Sequence, residues 1–362
     1  MKLTMNELKE IFTEHYNWLN GKGGKPAVFS GKNLSELKLY NLDMREMDFS
    51  NCDLSYCHMA GAIISNCNFK GANLTGAKMY DVEASGSNFT KAILKGAKLT
   101  GAKLDKVKFI EANLEDADLS GTDLRWSDFS NALLQRIDLH GAILSNVALR
   151  NLNLENIDMS DMNLQYIDFT GSNLKNIDFT NSDLSNSILN GQDLSLANFR
   201  GAIMCHANLH GTNMSGLNLF GVDLTGADLK NSKLIGSDLS KTIIKRTKFY
   251  YCILDDSKLN GNNFNNCDFH NAIMNNVDAS GADFSDANLS KIQASNCDFT
   301  KTNLENAYAF DGFFCKVNFS MSDISNADFS KCILSNCNFN NAITKNMRLD
   351  NTIIENTEGL NE

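Results

Sequence analysis

The sequence has a single proline, Pro26, two tryptophans among 362 residues, and no apolar run long enough to cross a bilayer. The beginning of the chain, Met1-Lys2-Leu3-Thr4, lacks the apolar segment of a secretory signal peptide. Ten cysteines without a secretion signal are typical of a reducing compartment. We therefore expect a cytoplasmic protein without disulfides and without a membrane-spanning segment.

Catalytic and metal-binding motifs are also scarce. The only close Cys/His group is Cys205, His206 and His210. The chain is built from a short repeat, in which Cys205 and His210 fall on two different, adjacent sides. They are poorly placed to share one metal. The sequence has no glycine-rich phosphate loop, and its many Ser, Asp and Asn residues follow a repeat consensus. We therefore expect no catalytic residues, no metal, no cofactor and no enzymatic activity.

What the sequence does contain is a large apolar residue at nearly every position ending in 4 or 9, from Phe29 to Ile354. These positions are the centres of 66 consecutive five-residue units, and 61 of them are Leu, Ile, Met or Phe. The remaining centres are small or polar: Ala84, Ala279, Ala294, Ala309 and Thr344. Because no insertion interrupts the series, nearly the whole chain is one repeat array.

The stretch from Ala112 to Gly121 shows the unit clearly. The residue two before each centre is small, the residue one before is often Asp or Asn, and the two residues after are polar or glycine. A period of five fits neither a helix nor a plain strand, but it suits a short extended segment followed by a tight bend. In such a segment the centre and the small residue point to the same side, so both are predicted to face inward.

The inward small position also holds most of the cysteines. We expect these to replace alanine in the core: Cys52, Cys57, Cys67, Cys252, Cys267, Cys297, Cys332 and Cys337. Only Cys205 and Cys315 are predicted to face outward.

A second period predicts how many bends make one turn of the chain. Phenylalanines among the early centres are spaced by multiples of 20: Phe29, Phe49, Phe69, Phe89, Phe109, Phe129 and Phe169. If four units make one coil, residues 20 apart stack directly above one another, and stacked rings are favourable. Later centres continue the pattern on a neighbouring side: Phe179, Phe199, Phe299, Phe319 and Phe339. The 66 units then make about 16 coils, or about 80 Å at the spacing of paired strands.

This pattern resembles the pentapeptide repeat family, with its A-(D/N)-L-x-x unit, over residues 27–356. The resemblance implies a right-handed quadrilateral β-helix. We therefore predict an all-β solenoid of this kind, of about 16 coils, with a short N-terminal α-helix as a cap. The expected domains are a helix and linker at 1–26, the repeat array at 27–356, and a tail at 357–362.

The two ends of the array differ in sequence. Residues 4–19 read as an amphipathic helix with a Thr4/Glu7 capping box and a stop at Asn20-Gly21. Its apolar stripe consists of Leu8, Ile11, Phe12 and Leu19, with Trp18 beside it. We interpret this helix as a lid on the first coil; the alternative is a partner-docking helix. The C-terminal residues 355–362 are too few for a similar cap, so the last coil is expected to stay open.

The net charge of −10 is unevenly distributed. Residues 1–110 hold 15 basic and 11 acidic residues, residues 111–240 hold 7 and 17, and residues 241–362 hold 11 and 15. The middle segment therefore carries a net −10 over about 31 Å, where duplex DNA would carry about 18 negative charges. The lysines of the first segment, Lys95, Lys98, Lys103, Lys106 and Lys108, lack interleaved aromatic residues, so we interpret them as a solvated face rather than a nucleic-acid site.

Outward aspartates in the middle segment recur at multiples of 20 residues and are predicted to form rows. The first row contains Asp118, Asp138, Asp158, Asp178 and Asp238, with Asn198 and Asn218 between the last two. The second contains Asp128, Asp168 and Asp228, and the third Asp123, Asp183 and Asp223. Two interpretations remain open: an acidic binding surface, or a structural habit in which the side chains bond the backbone at bends.

An apolar column follows one side of the last third, at positions that are normally polar. It consists of Ile253, Ile273, Phe313, Ile333 and Ile353, with Gln293 among them and with Tyr308 and Phe310 near Phe313 in the chain. Such a surface is typical of a self-association or partner site. The alternative is a tolerated variant of the unit, since Ile63, Ile93, Ile143 and Ile203 occur elsewhere.

Some members of the resembled family imitate DNA, bind gyrase or topoisomerase and protect it. We therefore predict a non-catalytic binding protein that imitates DNA and inhibits or protects a DNA-processing enzyme, either a topoisomerase or a nuclease. The chain lacks the projecting loop and C-terminal dimerisation helix of gyrase-protecting members, which weakens gyrase as the specific partner. The alternative is a scaffold or effector that binds a protein without mimicry. Neither interpretation requires direct contact with nucleic acid or a membrane.

Overall fold

A computed structural model describes residues 5–360 of the chain. The contacts divide it into two compact units, Met1–Asn173 and Leu174–Glu362, which we call the N-terminal unit and the C-terminal unit. In both units the five-residue repeat forms coils held together by parallel β-bridges between residues 20 apart. Both units are therefore β-solenoids, as the sequence predicts, and one short helix precedes the first coil.

Four sides make each coil. In the first coil of the N-terminal unit these sides are marked by the bridges Val28 to Asp48, Asn33 to Asp53, Lys38 to His58 and Asp43 to Ile63. Backbone groups pair from coil to coil; for example, Phe49 N–H donates to Asn68 O over 2.8 Å. This pairing satisfies the backbone without long strands. It confirms the prediction of four five-residue units per coil.

Tight turns join the sides. The N–H three residues after a centre donates to the carbonyl of that centre, as Cys52 does to Phe49 over 3.1 Å. The third residue of this turn, Asn51, has a φ of 54°. A turn with positive φ at that position favours glycine or asparagine, which explains why these two residues dominate the second position after each centre.

The core contains the centres and the small residues, as predicted. The phenylalanines from Phe29 to Phe129 form one stack, with neighbouring ring centroids 4.6–5.4 Å apart. The eight cysteines at the small position are buried, whereas Cys205 and Cys315 are only partly buried. Several buried thiols donate to backbone carbonyls; Cys67 Sγ lies 2.9 Å from Met44 O. The inward orientation of both positions is confirmed.

Helix α1 spans Met5–Leu19 and lies against the first coil. Leu8 is buried, and the Phe12 ring lies 5.8 Å from the Phe29 ring. The predicted stop is confirmed, because Gly21 N–H donates to Trp18 O and Lys22 N–H donates to Asn17 O at a left-handed glycine. Thr4, half of the predicted capping box, lies outside the described residues.

The C-terminal unit also contains three-residue strands that form one parallel sheet in the order β1 to β5. Their bounds are Ile273–Asn275 (β1), Gln293–Ser295 (β2), Phe313–Cys315 (β3), Ile333–Ser335 (β4) and Ile353–Glu355 (β5). The last centre, Ile354, is 45% exposed, and no helix covers it among residues 5–360. The predicted domain limits at residues 26 and 356 stay predictions. No helix in the described part of the chain is both long and apolar enough to span a bilayer.

Candidate binding surfaces

Every aspartate of the predicted rows also has a structural task. Its Oδ1 atom accepts the backbone N–H of the residue two positions later. Asp158, for example, accepts Ser160 N–H over 2.9 Å and the Ser160 hydroxyl over 2.7 Å. The other bonds follow the same pattern. The side chains therefore brace the corners, and the carboxylates are held in fixed positions by a bond that uses only one oxygen.

These bonds favour the charged form of the carboxylates. Hydrogen bonds from the Ser160 side chain and backbone hold the pKa of Asp158 below its ordinary value. The Ser240 hydroxyl is the main cause of the lowered pKa of Asp238, and the Arg125 guanidinium is the main cause for Asp123. At neutral pH these side chains are therefore ionised as well as oriented.

β-Bridges join only some neighbouring members of the predicted first row. Asp118 is bridged to Asp138 in the N-terminal unit, and in the C-terminal unit Asp178 is bridged to Asn198 and Asn218 to Asp238. Asp138 and Asp158 lie 20 residues apart in the same unit, but no bridge joins them among the described residues. The ladder of β-bridges along this row is interrupted at this step, and the row as a binding surface stays a prediction.

The interruption has a local cause in the coil of residues 151–170. Its four inward small positions are all filled by large side chains: Leu152, Ile157, Met162 and Ile167. On three of its sides no β-bridge joins it to the preceding coil within the described residues. The fourth side keeps its bond, from Leu149 N–H to Asp168 O over 2.9 Å, and the corner before it keeps the bond from Asn146 N–H to Gln165 O over 3.0 Å. Excess volume in a packed core forces the backbone apart. A cleft of about 300 Å³ lies beside Asp138 and Asp158 as a result.

In the second and third rows other residues lie between the aspartates. In the N-terminal unit Ala148 separates Asp128 from Asp168. In the C-terminal unit Ile203 separates Asp183 from Asp223, and Asp228 is bridged to Asn208 and Lys248. Aspartates therefore alternate with uncharged or basic residues on these sides.

Ion pairs further divide the aspartates. Four have a basic partner: Asp118 with Lys98 at 3.9 Å, Asp123 with Arg125 at 2.6 Å, Asp168 with Arg150 at 2.6 Å, and Asp228 with Lys248 at 3.9 Å. Six have no lysine or arginine ion pair within residues 5–360. We call these the unpaired acidic set: Asp128, Asp138, Asp158, Asp178, Asp223 and Asp238.

Three of the five lysines in the segment before the acidic coils contact carboxylates. Lys95 contacts Glu115 at 2.8 Å, and Lys103 contacts Glu83 at 2.7 Å. The third pair is Lys98 with Asp118. These contacts favour the interpretation of a solvated face over that of a nucleic-acid site.

The apolar column follows a continuous ladder in the C-terminal unit. A bridge joins Ile253 to Ile273, and the first residues of strands β1 to β5 are paired in register. Phe313 and Ile333 are each 38% exposed and Ile353 is 53% exposed. Tyr308 lies on the adjoining side, with its exposed ring stacked on that of Phe310 at 5.7 Å. The column therefore exists as an exposed surface of adjacent strands.

One buried polar residue was missed from the sequence. His15 of α1 is fully buried; its Nδ1 accepts Ala27 N–H over 3.0 Å, and its Nε2 lies 2.8 Å from Arg45 O. These two bonds tie the helix to the backbone of the first coils. The sequence does indicate this burial, because His15 falls at helical spacing on the apolar stripe of Leu8, Phe12 and Leu19. Cys205, His206 and His210 belong to no group that could hold a metal ion among the described residues.

Comparison with known proteins agrees with this geometry. A family model described as pentapeptide repeats (8 copies) matches overlapping stretches of the chain: 33–71, 52–90, 67–105, 92–131, 122–161, 163–201, 193–226, 223–261, 252–291, 263–300 and 280–320. The protein thus has a repeat-built β-solenoid fold. It belongs to the pentapeptide repeat family.

Two solved structures illustrate the similarity. HetL, a pentapeptide repeat protein involved in heterocyst differentiation regulation in the cyanobacterium Nostoc sp. strain PCC 7120, is 26% identical over 81% of this chain and 96% of its own, with a TM-score of 0.32. QnrB1, a plasmid-mediated fluoroquinolone resistance protein, is 20% identical over 56% of this chain and 91% of its own, with a TM-score of 0.35. No curated protein matches the chain.

Proposed function

We propose that the acidic coils bind the cationic DNA groove of a DNA-processing enzyme, a topoisomerase or a nuclease including a defence nuclease, and thereby inhibit or protect it. The observation that carries this proposal is the unpaired acidic set, whose carboxylates are fixed by corner hydrogen bonds and form no ion pair with lysine or arginine within residues 5–360. The segment 111–240 contains all eleven row aspartates and holds 17 acidic against 7 basic residues.

Electrostatic complementarity supports such a partner. A groove that binds DNA is lined by basic side chains, which attract and orient a surface with fixed negative charges. Because the carboxylates are already oriented in the free protein, less side-chain entropy is lost on binding. The expected contact is sensitive to salt and competes with duplex DNA.

The test is a capture experiment at low salt, with and without excess duplex DNA, followed by identification of the retained protein. The first bait is the wild type, and the second carries Asp138→Asn, Asp158→Asn and Asp178→Asn, which removes three unpaired charges. Asparagine preserves the corner bond, since Asn198 and Asn218 accept the same backbone N–H at 3.2 and 3.0 Å.

A matched control removes the same formal charge from paired aspartates, by Asp118→Asn, Asp123→Asn and Asp168→Asn. The proposal expects a DNA-binding enzyme that the wild type and the control retain, that the unpaired variant loses, and that DNA displaces. Equal retention by all three baits, with no effect of DNA, would remove mimicry.

The apolar column favours a second function, that of a scaffold that associates with itself or with another protein without mimicry. Its support is the in-register exposure of Phe313, Ile333 and Ile353. The variant Ile273→Asp/Ile333→Asp is expected to abolish concentration-dependent association in sedimentation experiments at high salt. The control is Ile343→Asp, because Ile343 is 56% exposed but its bridge partner is Asp323. A monomer at every concentration would contradict self-association.

A further inference from the structure

A side-chain amide interrupts the ladder at one side of the C-terminal unit. Ile243 is bridged to Asp223 and Asn263 to Asp283, but Ile243 and Asn263, 20 residues apart, are not bridged. Asn262 occupies the inward position where Ala282 lies one coil later. Its Nδ2 donates to Leu239 O over 2.6 Å and to Thr242 O over 2.8 Å.

The amide takes the place of a backbone bond. In a regular coil, Ile63 N–H donates to Leu42 O over 2.9 Å. The equivalent acceptor, Thr242 O, is used by Asn262, whose own Oδ1 accepts Asn263 N–H over 2.8 Å. The two coils are therefore joined here through a side chain, which holds their backbones apart.

This opening leaves a row of backbone donors without acceptors. The N–H groups of residues 244–247 make no hydrogen bond within residues 5–360, whereas the equivalent groups of Ile64, Asn66 and Cys67 all do. In the acidic coils an aspartate at the position before the centre accepts the N–H of the residue two positions later. Here that position, residue 243, is isoleucine, whose side chain offers no acceptor. Arg246 has a φ of 54°, so the donors lie in a left-handed turn. Successive N–H groups in such turns form anion-binding concavities.

The chemistry around these donors is cationic. The cleft has a volume of about 620 Å³, within the range of small-molecule sites, and residues 242–246 line it together with asparagines from the facing coil. No aspartate or glutamate lines it. Lys245 and Arg246 are exposed and have no ion pair among the described residues. Unpaired donors and two cations therefore meet at one opening.

We propose that this cleft binds the phosphate group of a small anionic ligand. Phosphate offers several strong acceptor oxygens, which match the free N–H groups, and its charge suits a lysine beside an arginine. A filled site also satisfies backbone donors that are costly to leave unpaired. This proposal is independent of the acidic coils and of the partner proposed for them.

Isothermal titration of the full chain with inorganic phosphate and with pyrophosphate, at constant ionic strength in chloride buffer, tests the proposal. Three variants are compared with the wild type, each checked for folding by its thermal melt. Lys245→Ser/Arg246→Asn removes both cations and introduces serine and asparagine, which occupy the same two positions at other corners. Asn262→Ala keeps every charge but removes the amide, so the ladder can close. Lys301→Asn/Lys316→Asn removes two lysines from corners of the same unit whose backbone bonds are intact.

The expected result is saturable binding by the wild type and by the Lys301/Lys316 variant. Affinity is expected to fall at least tenfold in Lys245→Ser/Arg246→Asn and in Asn262→Ala. If Asn262→Ala binds phosphate as well as the wild type, the opened ladder is not the site, and the proposal is overturned. Absence of saturable binding to both ligands in the wild type, or equal losses in the Lys301/Lys316 variant, overturns it as well.

Discussion

Two coils of the N-terminal unit, residues 91–110 and 151–170, follow the same five-residue rule with opposite results. In the first, the inward small positions hold Ala92, Ala97, Ala102 and Val107. The ladder to the preceding coil is complete, with N–H···O distances of 2.7–3.0 Å on all four sides. In the second, large side chains fill these positions and three sides lack a β-bridge to the preceding coil within the described residues. Excess inward volume therefore favours separation of neighbouring coils, but a single large residue can be accommodated. Ile137 and Ile167 lie beside residues that keep their bridges, Asp138 to Asp118 and Asp168 to Ala148.

The C-terminal unit supports this conclusion. Leu217 is a large residue at a small position, and Asn198 and Asn218 on that side are not bridged among the described residues. Ile292 is equally large, yet Ile273 and Gln293 are paired. The centre next to Ile292 is Ala294, so the extra volume at one inward position is offset at the other.

The largest difference between the two coils is expected in amide hydrogen exchange. The amides of Leu139 and Leu144 lack the coil-to-coil bond that Leu119 and Leu124 keep at 2.8 and 2.9 Å. We expect them to exchange at least about a hundredfold faster, because exchange there needs no breaking of the ladder. Leu149, whose bond is intact in the same coil as Leu139, is the internal control. Equal protection of all five amides would contradict an opened ladder.

Truncation of matched leucine centres is expected to give the next largest effect. Leu119→Ala leaves a cavity in a tightly paired stack, whereas Leu139→Ala acts where the coils are already apart and can relax. We expect costs of about 4 and about 2 kcal/mol respectively in urea unfolding, within the range for buried leucines. A larger loss of unfolding free energy for Leu139→Ala than for Leu119→Ala would contradict easier relaxation in the open coil.

Changing the volume of the inward residues should separate coils that are paired and pair coils that are separated. Ala97→Ile overpacks a regular coil and is expected to cost about 1–3 kcal/mol. Ile157→Ala removes volume from the open coil, so the exchange of the Leu139 amide is expected to slow. Ala97→Val is the smaller step in the same direction and should have a weaker effect. If Ile157→Ala leaves that amide unprotected, inward volume is not the cause.

The smallest effect is expected for the corner aspartates. Asp138→Asn and Asp158→Asn keep the acceptor for the backbone N–H, so unfolding free energy should change by no more than about 0.5 kcal/mol. Asp158→Ala removes that acceptor and is expected to cost about 1 kcal/mol. Thermal melts of the three variants distinguish the effect of losing the charge from that of losing the hydrogen bond at the corner.

The sequence predicts the regular parts of the fold because one period controls them. The centres, the phenylalanine stack and the buried cysteines all follow from it, and the structure confirms them. The departures were harder to anticipate. Leu152, Ile157 and Met162 are apolar and therefore fit an inward position by pattern, but their volume matters only against the coil above. In the sequence Asn262 is indistinguishable from other polar residues; only the structure shows its amide bonded to two carbonyls of the preceding coil.

The same difficulty applies to the candidate surfaces. Spacing alone placed the aspartates in rows, yet it could not show that Lys98, Arg125 and Arg150 pair with three of them. Those partners come from neighbouring coils or from adjacent corners, where the reach of a long side chain decides the contact. The apolar column was easier to predict, because its residues occupy identical positions in successive coils.

The buried cysteines give the chain its own set of internal reporters of local opening. Burial raises the pKa of Cys67 and of Cys252 to about 12 and that of Cys52 to about 11, so almost no thiolate is present at neutral pH while the coils stay closed. A thiol reagent can label these positions only after the surrounding coil separates. The order in which they are modified would thus record where along the chain unfolding begins, without any added probe.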